Sequence, residues 1–594
     1  MCLSDKICNF FVESNIADDA ALQSYSPTNH FGIADYCVFG GMLLISTMIG
    51  LYKSSSQKNT VAQFLTGRGK MSTVPVAISM LSGFVSSITL MGQPAEVYLH
   101  GAQPWLFGVS SFLLIPIVGW VLIPMFREKQ YVSAYQYYGD RYNRWLQLVA
   151  AVIFTLQMII YLALVLYAPA LAMYQVTGLN TMVMVTIMYL VCIVYTTVGG
   201  IKAVVWTDCF QVLVLSLSLI IVLAKGTADI GGFSVIWERN KATDRTTFFN
   251  WDISMTERYT FWSSFIGSGF LHMTTYGGNQ LQIQRYLTVK STSEARKMLW
   301  INSIGWTIVS FMCVYAGMLI FANFNECDPL TTHRIEKADQ LFPLYVMDAL
   351  YNYPGFPGLF ISGIFSAGLS SVSTGMNSLA AIWFAEFEST AFRKNMSETQ
   401  GTLFVKCLAL LFGILSYLVV FMVPYMGNLV PLAISLSSTF AGTLLGLFLL
   451  GVTCKAANTW GAFTGMMSSI LLLCWFAVGA MVAERSGMKI HPPKPLSVDN
   501  CSLPFNGTII TPSTEEAFIL YRISYTWYGM ISIMMTLIVG ASVSHVEQFI
   551  SRLMCNKRRS DNNRNDINVN NLLLNEKELK TIISSSSKTL QKNN

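Results

Sequence analysis

Thirteen runs of mostly apolar residues punctuate this 594-residue chain. Each is long enough to cross a bilayer core of roughly 30 Å, which takes about 20 residues of helix. They fall near 35–52, 73–97, 105–126, 146–173, 179–198, 207–229 and 260–283, then near 299–323, 355–385, 403–424, 427–452, 458–482 and 524–545. In lipid, a lone segment satisfies its own backbone only as a helix, so serial runs predict an all-α integral membrane protein with about 13 transmembrane helices. With 53% hydrophobic and 12% charged residues, the chain has too few charges to coat several soluble domains. The net charge of +6 is small for this length and gives no reason to expect nucleic acid as a partner. The cysteines lie mostly inside apolar runs, as Cys192, Cys209 and Cys474 do, without CxxC or histidine spacing, and are read as small core residues.

Charge placement sets the orientation. Residues 1–35 carry Asp5, Glu13, Asp18, Asp19 and Asp35 against Lys6, whereas the segment after the first span carries Lys53, Lys58, Arg68 and Lys70 with no acid. The positive-inside bias therefore predicts an extracellular N-terminus at 1–34, with no cleavable signal, and a cytoplasmic C-terminus at the plasma membrane. The basic stretches Arg127 to Arg144, Arg285 to Lys297 and Arg552 to Arg559 fall on the cytoplasmic side. The long loops 230–259, 324–350 and 484–522 fall outside, the last with Asn506 in a glycosylation sequon, while the sequon at Asn395 falls inside and stays silent. Cys327 and Cys501 sit in two of the outer loops, where an oxidising environment allows a disulfide or leaves two free thiols. Residues 550–594, rich in Asn, Lys and Ser, are expected to form a disordered cytoplasmic tail.

Two of the runs, 73–97 and 260–283, carry helix-loosening and polar residues at their centres. Ser82, Gly83, Ser86, Ser87, Thr89, Gly92, Gln93 and Pro94 interrupt the first; Gly267, Ser268, Gly269, Gly277, Gly278, Asn279 and Gln280 interrupt the second. Their spacing divides 73–229 and 260–452 into two five-helix halves, leaving 35–52 and 458–545 as peripheral helices. This is the inverted-repeat pattern, in which broken helices of each half face a central binding site. Close helix packing by small residues is the competing explanation, weaker for two matched positions than for one. From 366 to 378, six hydroxyl residues, Ser366, Ser370, Ser371, Ser373, Thr374 and Ser378, load one helix. Such oxygens suit a hard cation without burying carboxylates, although any single serine can simply bond back to its own helix. Asp208 is costly near lipid unless paired with a cation, or else is an ordinary interfacial carboxylate. His272 is read as a packed neutral histidine rather than a proton carrier.

Gly199-Gly-Ile-Lys-Ala-Val-Val-Trp-Thr-Asp208-Cys-Phe-Gln211 resembles the signature of the sodium:solute symporter family. Tyr167-Ala-Pro-Ala-Leu171, Asn279-Gln-Leu-Gln-Ile-Gln-Arg285 and the serine-rich helix accompany it in family order, over roughly 33–545. Gly92-Gln-Pro94-Ala-Glu96-Val-Tyr98, Cys327-Asp-Pro-Leu330 and Ile523-Ser-Tyr-Thr-Trp-Tyr528 are more similar to the animal branch of multivitamin, monocarboxylate and iodide transporters than to the glucose branch. The resemblance implies a sodium site built from carbonyls of Ser82, Val85 and Ala367 with the hydroxyls of Ser370 and Ser371. It implies a second sodium near Asp208, Ser373 and Thr374, and solute contacts at Phe84, Ser86, Thr89, Tyr161, Tyr276, Asn279 and Gln280. Thr89 stands where the iodide branch has Gln, which counts against iodide.

The expectation is a sodium-coupled symporter of a small organic anion, a monocarboxylate or a vitamin such as biotin or pantothenate. Its partners are solute, sodium ions and the bilayer; it needs no cofactor and no metal but sodium, and no feature specifies an oligomeric state. The alternatives are transport of another solute (iodide, choline or a sugar), a sodium-gated channel or sensor on the same fold, and a membrane enzyme. The spans lack the paired carboxylates or nucleophile and base an enzyme would need.

Overall fold

A computed structural model of the chain describes residues 31–55, 60–129, 131–388, 396–426, 429–488, 490–499, 501 and 516–590; Asn506 and residues 1–30 lie outside them. Among the described residues the structure is helical, with one isolated bridge between Met71 and Val289. The main helices are α1 (Ile33–Ser55), α2 (Thr73–Phe84), α3 (Ser87–His100), α4 (Gln103–Lys129), α5 (Arg144–Thr177), α6 (Thr181–Asp229), α7 (Ser268–Gly278), α8 (Gln280–Thr288), α9 (Thr292–Phe324), α10 (Phe356–Glu388), α11 (Glu398–Val420), α12 (Leu429–Thr453), α13 (Thr459–Arg485) and α14 (Tyr528–Leu590).

Among the described residues ten helices are long and apolar enough to cross a membrane, and the bent pair α2 and α3, counted as one span, brings the number up to eleven. The chain is thus a multi-pass membrane protein. The runs 179–198 and 207–229 both fall in α6, whose 49 residues would measure about 73 Å if straight, more than twice a bilayer core. The backbone leaves helical geometry there at Gly200, with φ 60° and ψ −169°. A β-carbon at Gly200 would meet the Phe64 ring at 2.8 Å, so glycine answers both the conformation and the packing.

Burial identifies the centre of the bundle. In α10 the apolar window is 89% buried, against 28% in α1 and 33% in α13 and α14. The serine-rich helix is therefore the axis, packed against α2, α5 and α6, whereas α1, α13 and α14 leave most of their apolar surface exposed. Cys327 and Cys501 form a disulfide, with their Cα atoms 5.1 Å apart. The tail departs from expectation, because α14 continues as helix to Leu590. A 2.9 Å Lys580–Glu576 pair one turn apart supports that polar extension, which carries no apolar periodicity.

Candidate functional site

The break between α2 and α3 bends the span by 58°. Val85 (ψ 91°) and Ser86 (ψ 164°) are extended, and the Ser86 hydroxyl caps α3 by accepting the Thr89 amide at 3.3 Å. The last carbonyls of α2 are thereby released toward α10. Ser370 Oγ donates to the Ser82 carbonyl at 3.1 Å and to the Ala367 carbonyl at 3.0 Å, and Ser371 Oγ donates to Ala367 at 3.1 Å. Ser82, Val85 and Ala367 also line a cavity of about 10 Å³, room for one water-sized sphere. The five residues expected to hold sodium are therefore brought together, all buried. Gln211 shares the cavity, and neither of its buried side-chain amide atoms has a hydrogen-bond partner. It stands in the signature motif but was not singled out as a site residue.

Asp208 is fully buried rather than interfacial, and its partner is Arg285 of α8, at 3.1 Å with both side chains 0% exposed. The guanidinium also donates to Thr374 Oγ1 at 2.8 Å, to Ser79 Oγ at 3.1 Å and to the Leu281 carbonyl at 3.1 Å. Ser79 in turn donates to Asp208 Oδ2 at 2.6 Å. Gly83 leaves room for this, since a β-carbon there would lie 3.3 Å from the guanidinium nitrogens. Ser373 donates to the Ser370 carbonyl at 3.1 Å. Two of the three residues expected around a second sodium thus share an arginine, and the buried Asp208 Oδ1 remains without a partner.

The second break falls at Asn279 (ψ 123°), whose side chain caps α8 through the Leu281 amide at 3.0 Å. Between the breaks lies a cavity of about 150 Å³, lined by Phe84, Ser86, Thr89, Tyr161 and Asn279, five of the seven expected solute contacts. Tyr276 stands behind Phe84, the rings stacked at 5.4 Å, and its hydroxyl accepts from Asn302 at 2.6 Å. Gln280 is buried away from the cavity, accepting the Ala134 amide and donating to the Val132 carbonyl, both at 2.8 Å. It anchors a connection instead of meeting solute. Residues the sequence left unnamed complete the wall: Trp306 edge-on to Phe84 at 4.4 Å, and Gln157 and Gln282, whose buried amide oxygens have no partner. His272 lies against Ser268 and stacks on Phe84, with Nδ1 2.7 Å from the Ser268 carbonyl, as a packed histidine would.

Arg258 grips Glu96 at one end of the cavity with bonds of 2.9 and 2.5 Å, and Tyr259 adds a third at 2.7 Å. Beside them, in the short turn before the helix Leu341–Leu350, Asp339 is 8% exposed. Burial, reinforced by the neighbouring Glu96 carboxylate, pushes its carboxyl up to about 6.

Two broken helices, an oxygen cluster against a serine-rich axis and an adjoining cavity define an ion-coupled membrane carrier. The chain belongs to the sodium:solute symporter family, which matches residues 64–469. It is 35% identical over 533 residues to the mouse sodium-coupled monocarboxylate transporter 1, covering 86% of this chain and 87% of that protein. It is 35% identical over 531 residues to the rabbit sodium-dependent multivitamin transporter, covering 87% and 83%. A substrate-bound, outward-open sodium-coupled sialic acid symporter shares the fold, with a TM-score of 0.70 at 24% identity over 87% of this chain and 98% of that one. The chain is accordingly a sodium-coupled solute symporter, with sodium as coupling ion and no cofactor, in a family of carriers and not enzymes.

Proposed function

We propose that this symporter imports a small organic anion, a monocarboxylate or a vitamin acid such as biotin or pantothenate, by alternating access at the plasma membrane. Its N-terminus faces outside and its C-terminus the cytoplasm. In this reading the chain has thirteen spans: α6 counts as two, divided at Gly200, and Trp262 to Thr288 forms one broken span. Residues 73–229 and 260–452 are the two five-helix repeats. Sodium binds at Ser82, Val85, Ala367, Ser370 and Ser371 and ties the broken helix to α10, which favours the state whose solute cavity is complete. Its leverage is limited to its differential affinity for the two states. A second sodium would use Asp208 and Thr374, sharing the carboxylate with Arg285.

The observation that carries the reading is the juxtaposition of the two sites at one break, where Val85 lines the sodium cavity and Ser86 the solute cavity. Among the described residues Glu96 and His272 are the titratable groups lining the solute cavity besides tyrosines. A carboxylate there would be held by neutral donors, Ser86, Thr89, Tyr161 and Asn279, and by the positive end of α3. The unpaired oxygens of Gln157 and Gln282 favour acids that also carry a hydroxyl or amide donor, such as lactate, pantothenate or biotin. Sodium-dependent currents evoked by lactate, butyrate, biotin, pantothenate, iodide and choline test this. Currents with the acids support the proposal, and currents with choline or iodide alone would overturn it.

A further inference from the structure

A cavity of about 670 Å³ opens among the basic connections of the chain. Its walls come from the short helix Val61–Thr66 and the turn Gly67–Gly69, the end of α4, the end of α8 with Val289 and Lys290, and the facing ends of α10 and α11. Among the described residues three cations, Arg68, Arg127 and Lys290, line it against one carboxylate, Glu398, which accepts the Val61 amide at 3.4 Å. Among the described residues Arg68 gives one bond, to Thr60 Oγ1 at 3.4 Å, and Arg127 one, to the Tyr286 carbonyl, so most of their N–H donors remain for a ligand.

The backbone holds Arg68 at this rim against its own preference. Its φ of 58° lies between Gly67 at 57° and Gly69 at 63°, three left-handed residues in succession. Non-glycine residues in that region are uncommon and persist where the surroundings impose them. Here the Gly69 α-carbon backs onto α8, where a β-carbon would lie 3.2 Å from the Leu287 carbonyl. Nearby the Met71 amide donates to the Thr288 carbonyl at 2.9 Å. The cavity therefore straddles the chain entering the first broken span and the chain leaving the second.

We propose that this cavity binds a polyphosphorylated anion, a phosphoinositide headgroup or a soluble inositol phosphate. A small monocarboxylate meets only one of three cations carried on separate elements, whereas several phosphates, each with about −1.5 to −2 charge at pH 7, can engage all of them. Basic pockets between spans on the cytoplasmic side are where anionic headgroups bind. The proposal rests on the cytoplasmic assignment of these loops given above. An anion bridging Arg68 and Lys290 would hold the two broken spans together on this face.

The test uses purified full-length protein and needs no transport. Binding of inositol hexakisphosphate, and of phosphatidylcholine vesicles with and without phosphatidylinositol bisphosphate, is measured for wild type, R68Q, K290Q and K455Q. Lys455 is an exposed cation outside the cavity, on the α12–α13 connection. Saturable wild-type binding, weakened about tenfold or more in R68Q and K290Q but not in K455Q, is expected. Binding to the soluble anion or only to the lipid identifies the source and supports the proposal either way. No wild-type binding to either, or equal losses in all three variants, would overturn it. Retained sodium-22 binding by R68Q and K290Q shows that they are folded and separates this outcome from failure of the transport reading.

Discussion

Replacing Arg285 with glutamine puts the buried Asp208 cluster under direct strain. The variant strips Asp208 of its counter-ion in a site where both side chains are 0% exposed, and removes donors to Ser79, Thr374 and the Leu281 carbonyl. Breaking one side of a buried pair costs about 3 to 5 kcal/mol, because the remaining charge stays desolvated. If a second sodium uses the same carboxylate, it should replace the lost guanidinium. At a concentration 100 times its dissociation constant it would restore about 2.7 kcal/mol. Thermal unfolding of detergent-purified R285Q should therefore fall well below wild type in N-methylglucamine chloride and recover partly in sodium chloride. The double variant D208N/R285Q, with neither charge, should be more stable than R285Q and keep only the smaller sodium response that wild type shows through the Ser370 and Ser371 site. An R285Q protein as stable as wild type in both salts would refute the buried pair. One that is destabilised but gains no more from sodium than wild type does would refute the second site.

Other outcomes follow from the packing. G278A should cost roughly 1 to 3 kcal/mol, visible as lost expression, since its β-carbon would lie 2.9 Å from the Ala441 carbonyl and 3.0 Å from Leu445 Cβ. C327S/C501S opens a disulfide with a sequence separation of 174 residues and should destabilise the protein by about 2 to 5 kcal/mol in unfolding assays, unless reducing agent already abolishes the difference. With its carboxyl raised to about 6, Asp339 binds its proton more tightly folded than unfolded, so acidification from pH 7 to 5 should stabilise the protein by roughly 1 kcal/mol. D339N should lose that pH dependence; an unchanged profile assigns it elsewhere. Q157A should raise the half-saturating concentration of a hydroxylated acid such as lactate more than that of butyrate, whereas equal shifts would argue against hydroxyl recognition.

How far the sequence reaches depends on local register. Within one unbroken helix spacing is reliable: Ala367, Ser370 and Ser371 are three and four apart, and they converge on one carbonyl cluster with Ser82. The break residues were legible too, since serine and asparagine cap the helices that restart there. Phase is lost across a break. Among alternating glutamines, Gln280 faces the 132–134 connection, Gln282 the solute cavity, and Gln284 the Leu65 carbonyl and Ser378, because the dihedral angles of Asn279 reset which face points inward. Long-range pairing was equally hidden. Asp208 visibly needed a cation, but nothing local identifies Arg285, 77 residues away, as its partner. Gln157 sits in an apolar helix, and only the cavity it lines distinguishes it from a buried structural amide.

Sodium-22 binding to purified protein in the absence of solute tests the central claim most directly. Wild type should bind saturably, and S370A/S371A, which removes the two hydroxyls gathered at the Ala367 carbonyl, should weaken binding about tenfold or more while keeping its fold by size exclusion and unfolding temperature. Unchanged sodium affinity in the folded double variant, or no saturable binding by wild type, would contradict the account.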